Sequence, residues 1–216
     1  MSQAMKRIAR LVLVVMALSS LDACSTTAPA RFYTLSSLRQ LANASTGPAT
    51  SDREAGLSTL LVGTIEIPQT LDRPQLVRRS GINKIDVAEY DRWAEPLDAM
   101  TRRVLAEDLA ALLPESRVVA SRQPAMPIDQ TLVVEVARFE ADNAGIVIFE
   151  AQWFVLAERN PVPRLSRRAT IEEPAASGES EAVVAAMSKA LANFAREIAT
   201  ALAAFPPAPM RPSRPG

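Results

Sequence analysis

At 216 residues, 48% hydrophobic and 22% charged, the chain has material for one globular domain with appendages. Lys+Arg and Asp+Glu balance at 24 each, so there is no basic excess to neutralise a phosphate backbone, and nucleic acid is a poor candidate partner. With no histidine and a single cysteine, Cys24, the commonest general base, a histidine-dependent triad, an internal disulfide and a cysteine-based zinc site are all excluded, leaving any catalysis to carboxylates, Ser, Lys or Tyr.

The first predicted element is a targeting segment. Lys6, Arg7 and Arg10 precede the apolar run Leu11–Leu18. That run is too short for a bilayer, which needs about 20 apolar residues, and its basic flank marks a signal peptide over residues 1–23. It ends in "LDAC", Leu21–Cys24, which resembles the bacterial lipobox. Asp22 departs from that pattern, where a small or apolar residue is usual, and puts efficient processing in question. The resemblance implies a diacylglycerol thioether on Cys24, cleavage before it, and fatty acylation of the new N-terminus. At about 0.8 kcal/mol per buried CH₂, several acyl chains hold a protein on a membrane. Ser25, rather than Asp, after the cysteine fits sorting to the outer membrane. Ordinary cleavage nearby, leaving a free thiol, is the alternative.

Residues 24–30 read as a tether, and "RFYTL", Arg31–Leu35, as a first strand. Ser36–Gly56, rich in Ser, Thr, Ala and Asn, reads as a loop. Leu57–Ile67 alternates, with Leu57, Thr59, Leu61, Gly63, Ile65 and Ile67 expected on one face, and Pro68 stops it. "LDRP", Leu71–Pro74, is a turn; Gln75–Arg79 and Asn83–Val87 form a hairpin around Gly81. The period then turns helical over Pro96–Leu113, with Leu97, Met100, Val104, Leu105, Leu109 and Leu112 as the apolar stripe, Asp98 at the positive end and Pro114 as the stop. Short strand Arg117–Ala120 follows. "DNAG" joins strands Thr131–Ala141 and Ile146–Leu156, the second presenting Val147, Phe149, Ala151, Trp153 and Val155 on one face. Arg164–Ile171 is a polar edge strand. The last helix, Ser180–Phe205, has the cleanest stripe: Val184, Met187, Leu191, Phe194, Ile198, Leu202 and Phe205. Its polar face is poor in cations, which favours a core element over a membrane-lying one. Residues 206–216 form a proline-rich tail expected to be disordered. Strands, helix, strands, helix make an α+β single domain: a mixed or antiparallel sheet covered by two main helices.

No Gly-rich phosphate loop and no G-x-S-x-G elbow occurs. The one stretch dense in chemistry is "YDRWAEPL", Tyr90–Leu97. Asp91 and Glu95 could be a glycosidase-like acid pair beside Trp93, which needs a carboxyl separation of about 5–10 Å. The structural reading accounts for every residue instead. Tyr90 and Trp93 anchor a strand-to-helix joint, Arg92 satisfies a carboxylate or a helix-end carbonyl, and Glu95 and Pro96 start the helix. The expectation is a joint with no catalytic residues and no metal.

"LDRPQLVRRSG", Leu71–Gly81, followed by "DVAEYDRWAEPLDAMTRRVLAEDLAALL", Asp86–Leu113, strongly resembles the PqiC-like ABC-type transport auxiliary lipoproteins. "FYTL", Phe32–Leu35, is similar to that family's opening, and Val183–Leu202 to its terminal helix; the resemblance covers most of residues 31–205. It implies a non-enzymatic outer-membrane lipoprotein facing the periplasm, without a cofactor beyond the lipid on Cys24. The partner it implies is an MCE-domain inner-membrane protein of a lipid transport system that maintains membrane integrity, and it leaves a homo-oligomer open. Asp72, Arg73, Pro74, Tyr90, Arg92, Trp93 and Glu95 are then fold determinants that also border an interface. Two rivals stand beside it. A lipid carrier would need a cavity of at least about 300 Å³ between helix and sheet. An envelope glycan hydrolase would need a cleft holding both Asp91 and Glu95.

Overall fold

The computed structural model describes residues 28–42, 58–124, 126–158 and 160–205. The signal segment, Cys24, most of the loop before residue 58 and the proline-rich tail lie outside them. The chain divides into two compact units, Met1–Ala30 and Arg31–Gly216.

The second unit contains, in chain order, β1 (Arg31–Tyr33), α1 (Leu38–Leu41), β2 (Ser58–Glu66), β3 (Gln75–Gly81), β4 (Lys84–Trp93), α2 (Leu97–Leu112), β5 (Ser116–Val119), β6 (Gln130–Ala141), β7 (Ile146–Ala157), β8 (Asn160–Pro174) and α3 (Ser180–Ala204). The strands form one eight-stranded mixed sheet, so the α+β single-domain expectation holds. β6 is its spine. One edge of β6 pairs antiparallel with β7, which pairs antiparallel with β8. The other edge forks: the first half of β6 runs parallel to β2, which carries β5, while its last residue, Ala141, meets Arg78 of β3. β3 forms the predicted hairpin with β4, and β1 lies parallel to β4 at the margin.

The helices cover one sheet face. Val147, Phe149, Ala151, Trp153 and Val155 of β7 are all buried, in the alternation read from sequence. Above them, Val184, Met187, Leu191, Phe194 and Ile198 of α3 are buried along one stripe, and Leu97, Met100, Val104, Leu105 and Leu109 of α2 complete the layer. Phe149 sits between Phe139, edge to face at 5.0 Å, and Phe194 at 4.7 Å, both within the preferred range for aromatic pairs. At the β6–β7 turn, Asp142 Oδ1 accepts the N–H of Ala144 and of Ile146, and Gly145 takes φ +78°, a left-handed conformation that glycine adopts without strain.

Several expectations need correction. In β2 the core cluster takes Leu60 and Val62 from the face opposite the expected one and then Ile65 from the expected face; Leu61 is buried outside the cluster, and Leu57 lies outside the described residues. The reason is a register shift against β6 between Val62 and Ile65, which flips the alternation midway. Gly63 sits at the shift because a Cβ there would lie 2.8 Å from Thr131 Cγ2 and 3.1 Å from the Leu132 carbonyl oxygen. The segment read as loop after Leu35 contains the turn α1, where Ser37 N–H donates to Gln40 Oε1 in a capping box. β4 runs on to Trp93, so the first half of YDRWAEPL is strand. β8 is longer than expected. Phe205, placed on the apolar stripe, is 52% exposed just past the end of α3.

Candidate functional site

The YDRWAEPL joint is organised around Asp91, a residue buried at 6% exposure. Asp91 and Trp93 share strand parity and both point under the helices, while Tyr90 is exposed. A carboxylate on the inward face must find partners. Arg31 of β1 supplies two: Nε donates to Oδ1 at 2.6 Å and Nη2 to Oδ2 at 3.0 Å. Ser180 Oγ, the first residue of α3, donates to Oδ2 at 2.6 Å, and the Tyr33 hydroxyl approaches Oδ1 at 3.4 Å. Arg78 of β3 in turn donates to Ser180 Oγ at 3.0 Å and to the Gly178 carbonyl. One carboxylate thus ties together β1, β4 and the start of α3. Burial pushes the Asp91 carboxyl up, but the hydrogen bonds from Ser180 and Arg31, with the Arg31 charge, outweigh it and hold it below its ordinary value.

The rest of the joint is structural. Trp93 is 6% exposed, and its backbone N–H donates to the Pro74 carbonyl at 2.7 Å, which lays the DRP turn against the end of β4. Ala94 N–H donates to the Tyr33 carbonyl. Glu95 accepts from Arg103 at 2.6 Å, a bridge that spans the start of α2. Pro96 is the N-cap, and Met100 N–H donates to its carbonyl. The Asp72 and Arg73 side chains are exposed. Arg92 departs from expectation: it is half-buried, and among the described residues its Nε has no hydrogen-bond partner.

This geometry bears on chemistry. A general acid or base needs an oxygen facing substrate. Both Asp91 oxygens are filled by protein donors, and Glu95 is held by Arg103 on the helix side. Of the residues that complete the site, Arg31, Tyr33 and Ser180 lie far from Asp91 in sequence, and Arg78 stands on the neighbouring strand of its hairpin. Only the inward parity of Asp91 beside a buried tryptophan was a signal for them.

A separate groove of about 380 Å³ lies at the surface between α1 and α3, lined by Leu38, Leu41, Ala192, Lys189, Asn193 and Arg196 among others. Neither Asp91 nor Glu95 lines it. At its α1–α2 side Asp108 is fully buried, its Oδ1 accepting Leu38 N–H at 2.6 Å and its Oδ2 unpaired. Burial raises the Asp108 carboxyl to about 6; Glu107 adds to the rise, and the Leu38 N–H and Arg196 oppose it. Among the described residues no helix is long and apolar enough to cross a membrane.

The model of the ABC-type transport auxiliary lipoprotein component family matches residues 33–199. The chain is 30% identical over 149 residues to the intermembrane transport lipoprotein PqiC of Escherichia coli (strain K12), covering 68% of this chain and 79% of that protein. The Shigella flexneri protein of the same name is similar to the same degree. Two solved structures share the fold. One is an uncharacterized protein (TM-score 0.66, 19% identity, 81% of this chain and 99% of that one). The other is XCC0632 of Xanthomonas campestris (TM-score 0.60, 22% identity, 79% and 93%). With helices, sheet and sequence in agreement from Tyr33 to Ala199, the chain belongs to the ABC-type transport auxiliary lipoprotein family, whose members are auxiliary lipoproteins of transport systems.

Proposed function

We propose that the protein is a docking component, lipid-anchored through Cys24 to the periplasmic side of the outer membrane. Its domain captures the periplasmic end of an MCE-domain inner-membrane transport protein and thereby supports membrane integrity. The observation that carries this reading is the 30% identity to an intermembrane transport lipoprotein over 149 residues. The joint agrees with it: its acids are consumed in holding strands and helix together, as in a scaffold that presents a surface rather than a reaction. No cofactor beyond the lipid is required, and no residue is assigned a catalytic role. Asp72, Arg73, Pro74, Tyr90 and Arg92 lie at or near the surface of the joint and border the docking face in this proposal, with Trp93 and Glu95 holding it from behind.

The test is affinity copurification of the full chain from envelope membranes, read by mass spectrometry. An MCE-domain protein is expected in comparable amount. Its absence, with the bait folded and membrane-bound, would refute the docking role. Glu95→Gln tests the enzyme alternative: a folded variant should keep detergent resistance, and a folded variant without it would revive catalysis.

The lipid-carrier reading has one observation in its favour, since the α1–α3 groove exceeds the volume named for it and mixes Leu38 and Leu41 with Lys189 and Arg196. The groove is open to solvent, however, and lies outside the helix–sheet core, which is filled by side chains such as Trp153, Phe149 and Phe194. A stoichiometric lipid in the same purification would favour the carrier.

A further inference from the structure

Seven large apolar side chains are exposed among the described residues, and four of them, Phe32, Ile82, Val87 and Tyr90, lie on β1 and the β3–β4 hairpin. Single exposed apolar residues are ordinary on a protein surface, but their concentration along one margin marks a contact. β1 is the margin of the sheet, and it covers β4 only from Asp91 to Trp93. The extreme case is Ile82, 92% exposed at the hairpin tip. The tip is braced: Gly81 and Lys84 close it as a pair, and Asn143 of the β6–β7 turn donates to the Ser80 carbonyl at 2.5 Å. A braced turn therefore holds an isoleucine almost wholly in water, which is unfavourable unless something covers it.

The direction of β1 indicates what covers it. β1 runs parallel to β4, which passes from Lys84 at the tip to Trp93 at the joint. The N-terminal end of β1 therefore faces the tip side of the margin. Cys24 is seven residues before Arg31, so a fully extended connection reaches at most about 25 Å. The seven residues from Asp91, opposite Arg31, back to Lys84 span at most about 23 Å of strand. A membrane that holds the lipid on Cys24 thus lies within reach of this margin and its tip. We propose that the β1–β4 margin is a second membrane contact, in which Ile82 enters the apolar boundary of the bilayer and Phe32, Val87 and Tyr90 lie along the headgroup layer. The inference rests on the anchor at Cys24 proposed above.

The seat is apolar rather than ionic. Arg79 is engaged by Glu140 at 2.9 Å, Lys84 by Asp86 at 3.4 Å, and Arg78 by Ser180 and the Gly178 carbonyl. Asp86 and Glu89 add exposed negative charge to β4. The cations near the tip are thus partnered, and no basic patch there addresses an anionic headgroup. An aliphatic side chain at the apex suits the acyl boundary. A tyrosine suits the interface, where its ring meets lipid chains and its hydroxyl meets water. One isoleucine adds little to several acyl chains, so the margin orients the domain rather than anchors it. A tether alone lets the domain rotate, and a second contact fixes which side faces the periplasm. Tyr90 then stands where the seat meets the docking face.

The test uses the full chain, acylated by the cells that make it and reconstituted into phosphatidylethanolamine–phosphatidylglycerol vesicles. The thioether occupies the Cys24 sulfur, so an introduced cysteine takes the fluorescent label, and mass spectrometry of the same sample reads the acyl chains. A label at Ile82→Cys should be quenched by lipid carrying a doxyl group on its acyl chain. A label at Ser166→Cys, exposed on β8 toward the other end of the sheet, should not. The quenching should persist at high salt and in vesicles of phosphatidylcholine alone, since no ion pair holds the seat. Ile82→Asp, read from a label at Asn83→Cys, should lower the ratio of inserted to withdrawn tip about tenfold. Melting curves establish that each variant is folded. An acylated protein whose residue 82 stays in water overturns the seat and leaves the anchor standing. A shift in emission without quenching means that a protein surface, a second copy or another partner, covers the tip, and overturns the seat too. A bare Cys24 overturns the anchor, and the seat falls with its premise.

Discussion

At the residue scale, two buried aspartates behave in opposite ways because their partners differ. Asp91 has charged and hydroxyl donors on both oxygens, and its carboxyl is held below the ordinary value. A depressed folded-state value means that the stabilisation is present above the unfolded value of about 3.9 and fades as pH falls below it. Asp91→Asn keeps the shape but loses the charge that Arg31 and Ser180 address. It should cost about 1–3 kcal/mol at pH 7, measured by urea unfolding, and the deficit should shrink toward pH 3. Asp108 has one backbone donor and an unpaired oxygen in a buried site, and its carboxyl is raised to about 6. The sign reverses. Above about pH 6 the folded state holds a buried charge that the unfolded state hydrates, so stability rises as pH falls from 7 toward 5. Asp108→Asn should stabilise the fold at pH 7 by on the order of 1–2 kcal/mol in urea unfolding, and should abolish that rise. An equal pH slope in wild type and variant would contradict the assignment.

At the scale of elements, α3 is the main cover of the sheet. Its stripe is buried along most of its length, and its first residue is pinned by Asp91 and Arg78. Leu191 is fully buried. Leu191→Asp places an unpaired charge there and should prevent folding of the domain, seen as loss of the cooperative melting transition. A variant with an unchanged melting temperature and lost liposome binding would make α3 a membrane element instead. Leu191→Met, close in volume, should cost less than about 1.5 kcal/mol, which separates the effect of charge from that of shape.

At the scale of the molecule, the domain is one sheet with helices on one face, and the proposed attachment to a membrane rests on residues before Arg31. Lipidation at Cys24 is expected from "LDAC" behind an apolar run. Metabolic labelling with an alkyne fatty acid should mark the wild-type chain and leave Cys24→Ala unmarked; equal labelling of both would refute it. Asp22→Ala should lower the precursor fraction if Asp22 slows processing.

What the sequence determined by itself was whatever rests on local periodicity and strong side-chain preference. The 3.6-residue stripe of α3 and the two-residue alternation of β7 each named their buried faces, because one apolar face per element must leave water wherever it packs. The DNAG turn and the Pro96 boundary were legible because backbone conformation there is set by one or two residues. The family was legible from the stretch around YDRWAEPL, which composition alone would not have supplied. The tertiary structure alone decided the rest. The flip within β2 depends on how its neighbour β6 passes Gly63, and no periodicity within β2 records that neighbour. The partners of Asp91 come from β1 and from α3, sixty and eighty-nine positions away, and Asp108 meets Leu38 across seventy. Sequence singled out Asp91 as an acid beside an apolar anchor and gave no signal for Asp108. Whether a buried carboxylate is held charged by donors or pushed toward neutrality depends on what the fold brings within about 3 Å of its oxygens, and that is a property of topology.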